Sequence, residues 1–135
     1  MFEKQQRIYY EDTDAGGVVY HANYLKFMER CRCDWLDSLG FDVSKLQNEN
    51  HIMFVVREAN IKYELPAKLF DNITVSAKVL QVGKIKLLLE QKIYNKGVLL
   101  CIGSIKLATL HTTSFKLTPM PNKLHQALAT DCQRK

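Results

Sequence analysis

The sequence has no apolar run approaching the roughly 20 residues that a bilayer-spanning helix needs. Its first residues, Met1-Phe2-Glu3-Lys4-Gln5-Gln6-Arg7, hold no apolar signal region. Membrane spanning and secretion are therefore not expected, and a cytoplasmic location is. Proline is scarce (Pro66, Pro119, Pro121) and there are six glycines, which excludes collagen-like and low-complexity architectures. Cysteine is limited to Cys31, Cys33, Cys101 and Cys132, without the paired C-x-x-C spacing of a zinc site. These read as small buried hydrophobes in a reducing compartment. No H-x-x-x-H or H-E-x-x-H pattern, G-x-S-x-G elbow or G-x-x-x-x-G-K phosphate loop occurs. With those schemes unsupported, a carboxylate is left to activate water or attack a substrate.

What is present is an ordinary globular composition: 135 residues, 47% hydrophobic and 24% charged. That length fits one domain over residues 1–135, able to bury about two-thirds of its surface without disulfides or metal. The charge is unevenly spread. Residues 1–70 carry nine Lys/Arg and eleven Asp/Glu, a net of −2, whereas residues 71–135 carry ten and three, a net of +7. A basic half suits an anionic partner: nucleic acid, a membrane surface or a phosphorylated small molecule. It equally fits a soluble surface that happens to use lysine.

Periodicity orders the elements. Gln6 to Glu11 reads as a strand, followed by the loop Asp12-Thr13-Asp14-Ala15-Gly16-Gly17. Ala22 to Leu39 reads as an amphipathic helix with the stripe Tyr24, Phe27, Met28, Cys31, Trp35 and Leu39, stopped by Gly40. Most of the remainder reads as strand: Met53 to Leu65, Ile73 to Val79, a turn at Gly83, a strand from Ile85 to Ile93, a turn at Asn95-Lys96-Gly97, and Val98 to Thr112. Asn122 to Ala129 reads as a short terminal helix opened by Pro121. One long helix against one antiparallel sheet is an α+β architecture. Apolar residues on both faces of the last strand call for a further cover, such as a partner subunit.

Reactive side chains concentrate between Tyr9 and Asn23, in the connection between the first strand and the long helix. Such connections on rigid elements carry function disproportionately. Gly16-Gly17 permits close backbone approach to a ligand, and a helix N-terminus beyond it offers N–H groups that can hold a developing oxyanion. Each residue also has a structural reading. Asp12 and Asp14 suit turns and caps, and His21 suits a surface or core position.

The segment Tyr10-Glu11-Asp12-Thr13-Asp14-Ala15-Gly16-Gly17-Val18-Val19-Tyr20-His21-Ala22-Asn23-Tyr24 closely resembles the signature of hot-dog-fold acyl-CoA thioesterases. Its D-x-D-x-x-G-V-V-Y-x-x-N-Y pattern is similar to the 4-hydroxybenzoyl-CoA thioesterase family, above all its YbgC-type, Tol-Pal-associated branch. The resemblance implies a hot-dog fold, one long central helix wrapped by an antiparallel sheet of about five strands. It implies that Asp14 is the catalytic carboxylate, with Tyr10 and His21 beside it, and it assigns Asp12 no direct role. Asp14 would attack the thioester carbonyl or act as base for water, while backbone N–H groups near Gly17 and from Val18 to His21 bind the carbonyl oxygen. Arg57, Lys84 and Lys86 become candidate contacts for the phosphates of coenzyme A, which is part of the substrate; no cofactor or metal is implied. A homodimer or homotetramer is also implied.

Two other readings compete. A non-catalytic module could hold acyl-CoA or an acidic acyl carrier protein, but it has no evident need for Asp14 and His21. Nucleic-acid binding rests on charge alone, without a motif. The hot-dog fold also hosts dehydratases, so the D-x-D-x-x-G pattern, not the fold, favours hydrolysis.

Overall fold

The computed structural model describes residues 1–133; Arg134 and Lys135, which count towards the basic half, lie outside them. Five strands form one antiparallel sheet: β1 (Phe2–Arg7), β2 (Ile52–Tyr63), β3 (Asn72–Val82), β4 (Lys86–Asn95) and β5 (Val98–His111). Their spatial order is β1-β3-β4-β5-β2, so β1 and β2 are the two edges. The long helix α1 (Asn23–Ser38) lies across the sheet, followed by α2 (Val43–Glu49) and, at the end, α3 (Asn122–Gln133). This is the hot-dog arrangement that the resemblance implies.

The helical stripe and the strand alternation meet in the core. Tyr24, Phe27, Met28, Cys31, Trp35 and Leu36 of α1 are buried against Ile73, Val75, Ala77 and Val79 of β3 and Leu89 and Ile93 of β4. Each large side chain fully removed from water contributes about 1.5–3 kcal/mol before entropy is counted. Where β5 passes beneath α1, a side chain at Gly103 would meet the Met28 Cε and Sδ atoms at 3.1 Å. Gln91 is a polar group within this core. Its fully buried amide donates to the Met28 carbonyl at 3.0 Å and accepts from the Arg32 guanidinium at 2.9 Å, so its polar ends are satisfied.

Several boundaries differ from expectation. The first strand is not Gln6 to Glu11 but Phe2–Arg7, paired with β3 from Phe2↔Ala77 to Arg7↔Asn72. Its end is set by Asp12, whose carboxylate captures the Tyr9 N–H at 2.9 Å and bends Tyr10–Asp12 into a 3₁₀ turn. α2 was not expected. Asp42 starts it by accepting from the Ser44 and Lys45 amides, and only Leu46 of its residues is buried. The terminal helix runs four residues further than expected, to Gln133. Its Leu124 and Leu128 are fully buried, and Asp131 accepts the Trp35 indole N–H at 2.9 Å. The back of β5 is polar at its middle, at Ser104 and Lys106. Exposed apolar residues of the sheet are found at Val98 of β5, at Leu80 of β3, and at Val56 and Tyr63 of the edge strand β2.

Candidate active site

The segment between β1 and α1 folds into a small hairpin. Thr13 and Val19 form an antiparallel bridge, the Asp14 N–H donates to Val18 O at 2.9 Å, and the Gly17 N–H donates to Asp14 O at 3.1 Å. Ala15-Gly16-Gly17 is the tip, and Gly17 adopts φ +79°, which a residue with a side chain reaches only with strain. Asp14 is exposed there. Its Oδ1 accepts the Gly16 N–H at 2.8 Å, and a Cβ on Gly16 would stand 3.2 Å from that oxygen. One carboxylate oxygen is thus held by the loop, while the other accepts no hydrogen bond among the described residues.

The hairpin is anchored from below by the other aspartate. Asp12 is buried, and its carbonyl accepts the Tyr20 N–H at 3.0 Å and the Asn23 side-chain amide at 2.9 Å. The Val19 N–H donates to Ala67 O at 2.9 Å, tying the hairpin to the segment after β2. Val19 and Tyr20 therefore spend their N–H groups on structure, as Gly17 does within its own turn. The N–H groups of Val18, His21 and Ala22 donate to nothing among the described residues, and Ala22, the N-cap of α1, supplies no capping side chain. A helix start of this kind leaves donors for an anionic or polarised oxygen.

His21 lies at that start, exposed. Its ring lies 4.5 Å from the Tyr20 ring and 6.4 Å, edge-on, from the Tyr63 ring. A hollow of about 230 Å³ opens beside it, walled by Val19, Tyr24, Tyr63, Leu65 and Pro66. Tyr10 is placed differently. Its side chain is 79% exposed and makes no hydrogen bond to Asp14 or His21 among the described residues; its carbonyl takes the Thr13 hydroxyl at 2.9 Å.

Of the three basic residues singled out, Arg57 and Lys86 line one cavity of about 690 Å³, together with Gln81, Leu88 and Lys106; Lys84 does not line it. Lys106 is paired with Glu58 at 2.9 Å, and no ion pair engages Arg57 or Lys86 among the described residues. Arg57 is the extra residue of a bulge in β2, between Val56 and Glu58, which breaks the strand's alternation. No group of three or more His, Cys, Asp or Glu side chains among the described residues could hold a metal ion. No helix among them is long and apolar enough to cross a membrane.

Two residues of the site were not legible as such. Asn23 stands in the quoted signature, yet its part in clasping Asp12 emerges only once the helix start is built. Tyr63 lies 42 residues from His21 in the chain, and only the fold brings them together.

A central helix on a five-stranded antiparallel sheet, preceded by a glycine-tipped hairpin that carries Asp14, is the arrangement of a hot-dog-fold thioesterase. The chain belongs to the thioesterase-like superfamily, whose family model matches residues 9–128. Within it, the chain is similar to the acyl-CoA thioesterase YbgC of Haemophilus influenzae, with 39% identity over 121 residues, 90% of this chain and 89% of the relative. It is also similar to the acyl-CoA thioester hydrolase YbgC of Escherichia coli O6:H1, with 40% identity over 95 residues, 70% of each chain. The crystal structure of a probable thioesterase from Bartonella henselae superposes with a TM-score of 0.86 at 30% identity, covering 89% of this chain and 98% of that one.

Proposed function

We propose that the protein hydrolyses acyl-CoA thioesters to free acid and coenzyme A, with Asp14 as the reacting carboxylate. The observation that carries this reading is the Asp14 side chain itself. One oxygen is fixed by the Gly16 amide and the other accepts no hydrogen bond among the described residues, in the same hairpin-to-helix connection that leaves the Val18, His21 and Ala22 amides without a partner among those residues. A thioester carbonyl resting on the Val18 and His21 N–H groups would have its developing negative charge stabilised there. Asp14 then either adds to the carbonyl carbon, giving a mixed anhydride, or takes a proton from an attacking water. In both routes the carbon–sulfur bond breaks and the thiolate of coenzyme A leaves. His21 orients the water or the carbonyl. Tyr10 reaches the reacting groups only in an assembly that turns its exposed ring inward.

The cavity between Arg57 and Lys86 suits the phosphates of coenzyme A. Arg57 lies six residues along β2 from Tyr63, about 20 Å of extended strand. The extended pantetheine arm is what would bridge that gap. The unsheltered edge strand β2 supports a homodimer, or a tetramer built from dimers. All four cysteines are free thiols, which supports a reducing, cytoplasmic setting where coenzyme A is found.

Asp14→Asn tests the reading. It keeps size and the acceptor for the Gly16 N–H while removing charge and basicity. The expected outcome is a kcat lower by a factor of about 10³ or more on a panel of aromatic, short and long acyl-CoAs, with an unchanged circular dichroism spectrum. Equal activity of the two proteins on that panel overturns the assignment. Single-turnover hydrolysis in ¹⁸O-labelled water separates the routes, because label in Asp14 excludes a pure general-base path.

A further inference from the structure

The Tyr63 hydroxyl donates to the carbonyl oxygen of His21 at 3.0 Å, across 42 residues of sequence. Its ring stands edge-on to the His21 imidazole, with centroids 6.4 Å apart. Tyr63 is in turn set by Tyr24, whose ring lies 5.5 Å away at 63°. Tyr24 cannot readily shift: it is buried, and its hydroxyl accepts the Ala67 N–H at 2.9 Å. Ala67 O also takes the Val19 N–H from the catalytic hairpin. A closed bracket results, running from the hairpin through Ala67, Tyr24 and Tyr63 back to His21. Sheet stability does not require it. Tyr63 is the last residue of β2, 48% exposed, and its strand pairing with Cys101 uses only backbone. Partial burial raises the phenol above its ordinary pKa, so the hydroxyl remains a donor at neutral pH.

We propose that Tyr63 is a positioning residue for thioester hydrolysis, fixing His21 at the start of α1 by the hydroxyl–carbonyl bond and by the edge of its ring. This rests on the reading of His21 as a participant in the reaction. Tyr63 acts through His21: it holds the backbone from which the imidazole projects, and the Tyr20 ring stands 4.5 Å from the same imidazole. An unbraced His21 would sample other rotamers on an exposed turn, and the productive fraction would fall.

The test compares Tyr63→Phe, His21→Ala and the double variant in the full chain with one acyl-CoA. Tyr63→Phe removes the hydroxyl and keeps the ring. The expected result is a kcat lower by about tenfold with KM changed less than about twofold. In the double variant, Tyr63→Phe adds nothing to the loss from His21→Ala, because its only route of action is gone. The His21 imidazole resonances of Tyr63→Phe should shift and broaden while the thermal midpoint stays in place. Additive losses in the double variant, or wild-type kinetics with an unmoved His21 signal in Tyr63→Phe, overturn the proposal and leave the role of His21 intact. Full activity of His21→Ala instead removes the reading on which the proposal stands. A measurement on the unmodified protein needs no variant: nuclear Overhauser contacts between the His21 and Tyr63 rings are expected, and their absence refutes the bracket.

Discussion

Asp12 and Asp14 stand two residues apart in one short loop and have opposite fates. Asp12 is buried and uses its carboxylate to turn the backbone, so it is a structural acid. Asp14 is exposed, one of its oxygens accepts no hydrogen bond among the described residues, and it is the carboxylate proposed to react. A similar contrast separates the cysteines. Cys33 is exposed, whereas burial pushes the Cys31 thiol up to about 11 and the Cys101 thiol up to about 12. In the unfolded chain both thiols ionise near the ordinary 9.0. Between that pH and their folded values the unfolded state holds fewer protons than the native one, so stability must fall as pH rises. It is unaffected by these groups below about pH 8 and declines above 9, with a slope on the order of 1 kcal/mol per pH unit for each thiol. Urea titrations under reducing conditions from pH 8 to 10.5 check this. The wild type should lose stability more steeply than a Cys31→Ala/Cys101→Ala variant, and parallel slopes would rule out thiol ionisation as a cause.

At the level of elements, the long-period signals were legible and the local exceptions were not. The α1 stripe, the alternation of Ile73 to Val79 and the turn at Asn95-Lys96-Gly97 come through because burial on one face dictates every second or every third and fourth residue. The turn is observed with Lys96 at φ +50° and Gly97 at φ +79°. α2 is short and buries only Leu46, too little apolar periodicity to register, although Asp42 marks its start. The β1 boundary was misplaced because Ile8-Tyr9-Tyr10 has strand composition, while a single side chain, Asp12, decides where the strand stops. The candidate site was legible as far as it is contiguous: Asp14, Gly16 and His21 share one connection, whereas the contact of Tyr63 with His21 depends on how β2 lies. Gly103 tests the central contact between elements. Gly103→Ala places a methyl 3.1 Å from the end of Met28. Met is flexible, so the cost should be about 1–3 kcal/mol rather than loss of the fold, read as a lower urea midpoint with an unchanged slope. In a double-mutant cycle, Gly103→Ala should cost less in a Met28→Ala background than in the wild type if the clash is the cause.

For the whole molecule, the determining feature is the inequality of its two sheet edges. β1 is six residues long and carries Glu3, Lys4 and Arg7, whereas β2 is twelve residues long and open along its outer side. Its helix-side residues Val56 and Tyr63 are each 48% exposed, because α1 rests on β1 and β3 while α2 packs at β2. A long strand edge with apolar neighbours is a template for another strand. A second copy packed about a two-fold axis, β2 against β2, would be a self-complementary solution and would bury on the order of 1,200–2,000 Å² in total. That assembly would cover Val56 and bring the exposed aromatics of the Tyr9–Tyr20 loop towards a second chain. It would give Tyr10 the surroundings it lacks in a single copy. Light scattering at micromolar concentration should return at least twice the monomer mass. A Val56→Glu/Ala59→Arg variant, with opposed charges on an exposed stretch of β2, should shift the mass towards the monomer and lose activity in proportion to the dimer lost. A monomeric wild type with full activity would falsify the assembly and would leave Tyr10 without a route to the reacting thioester.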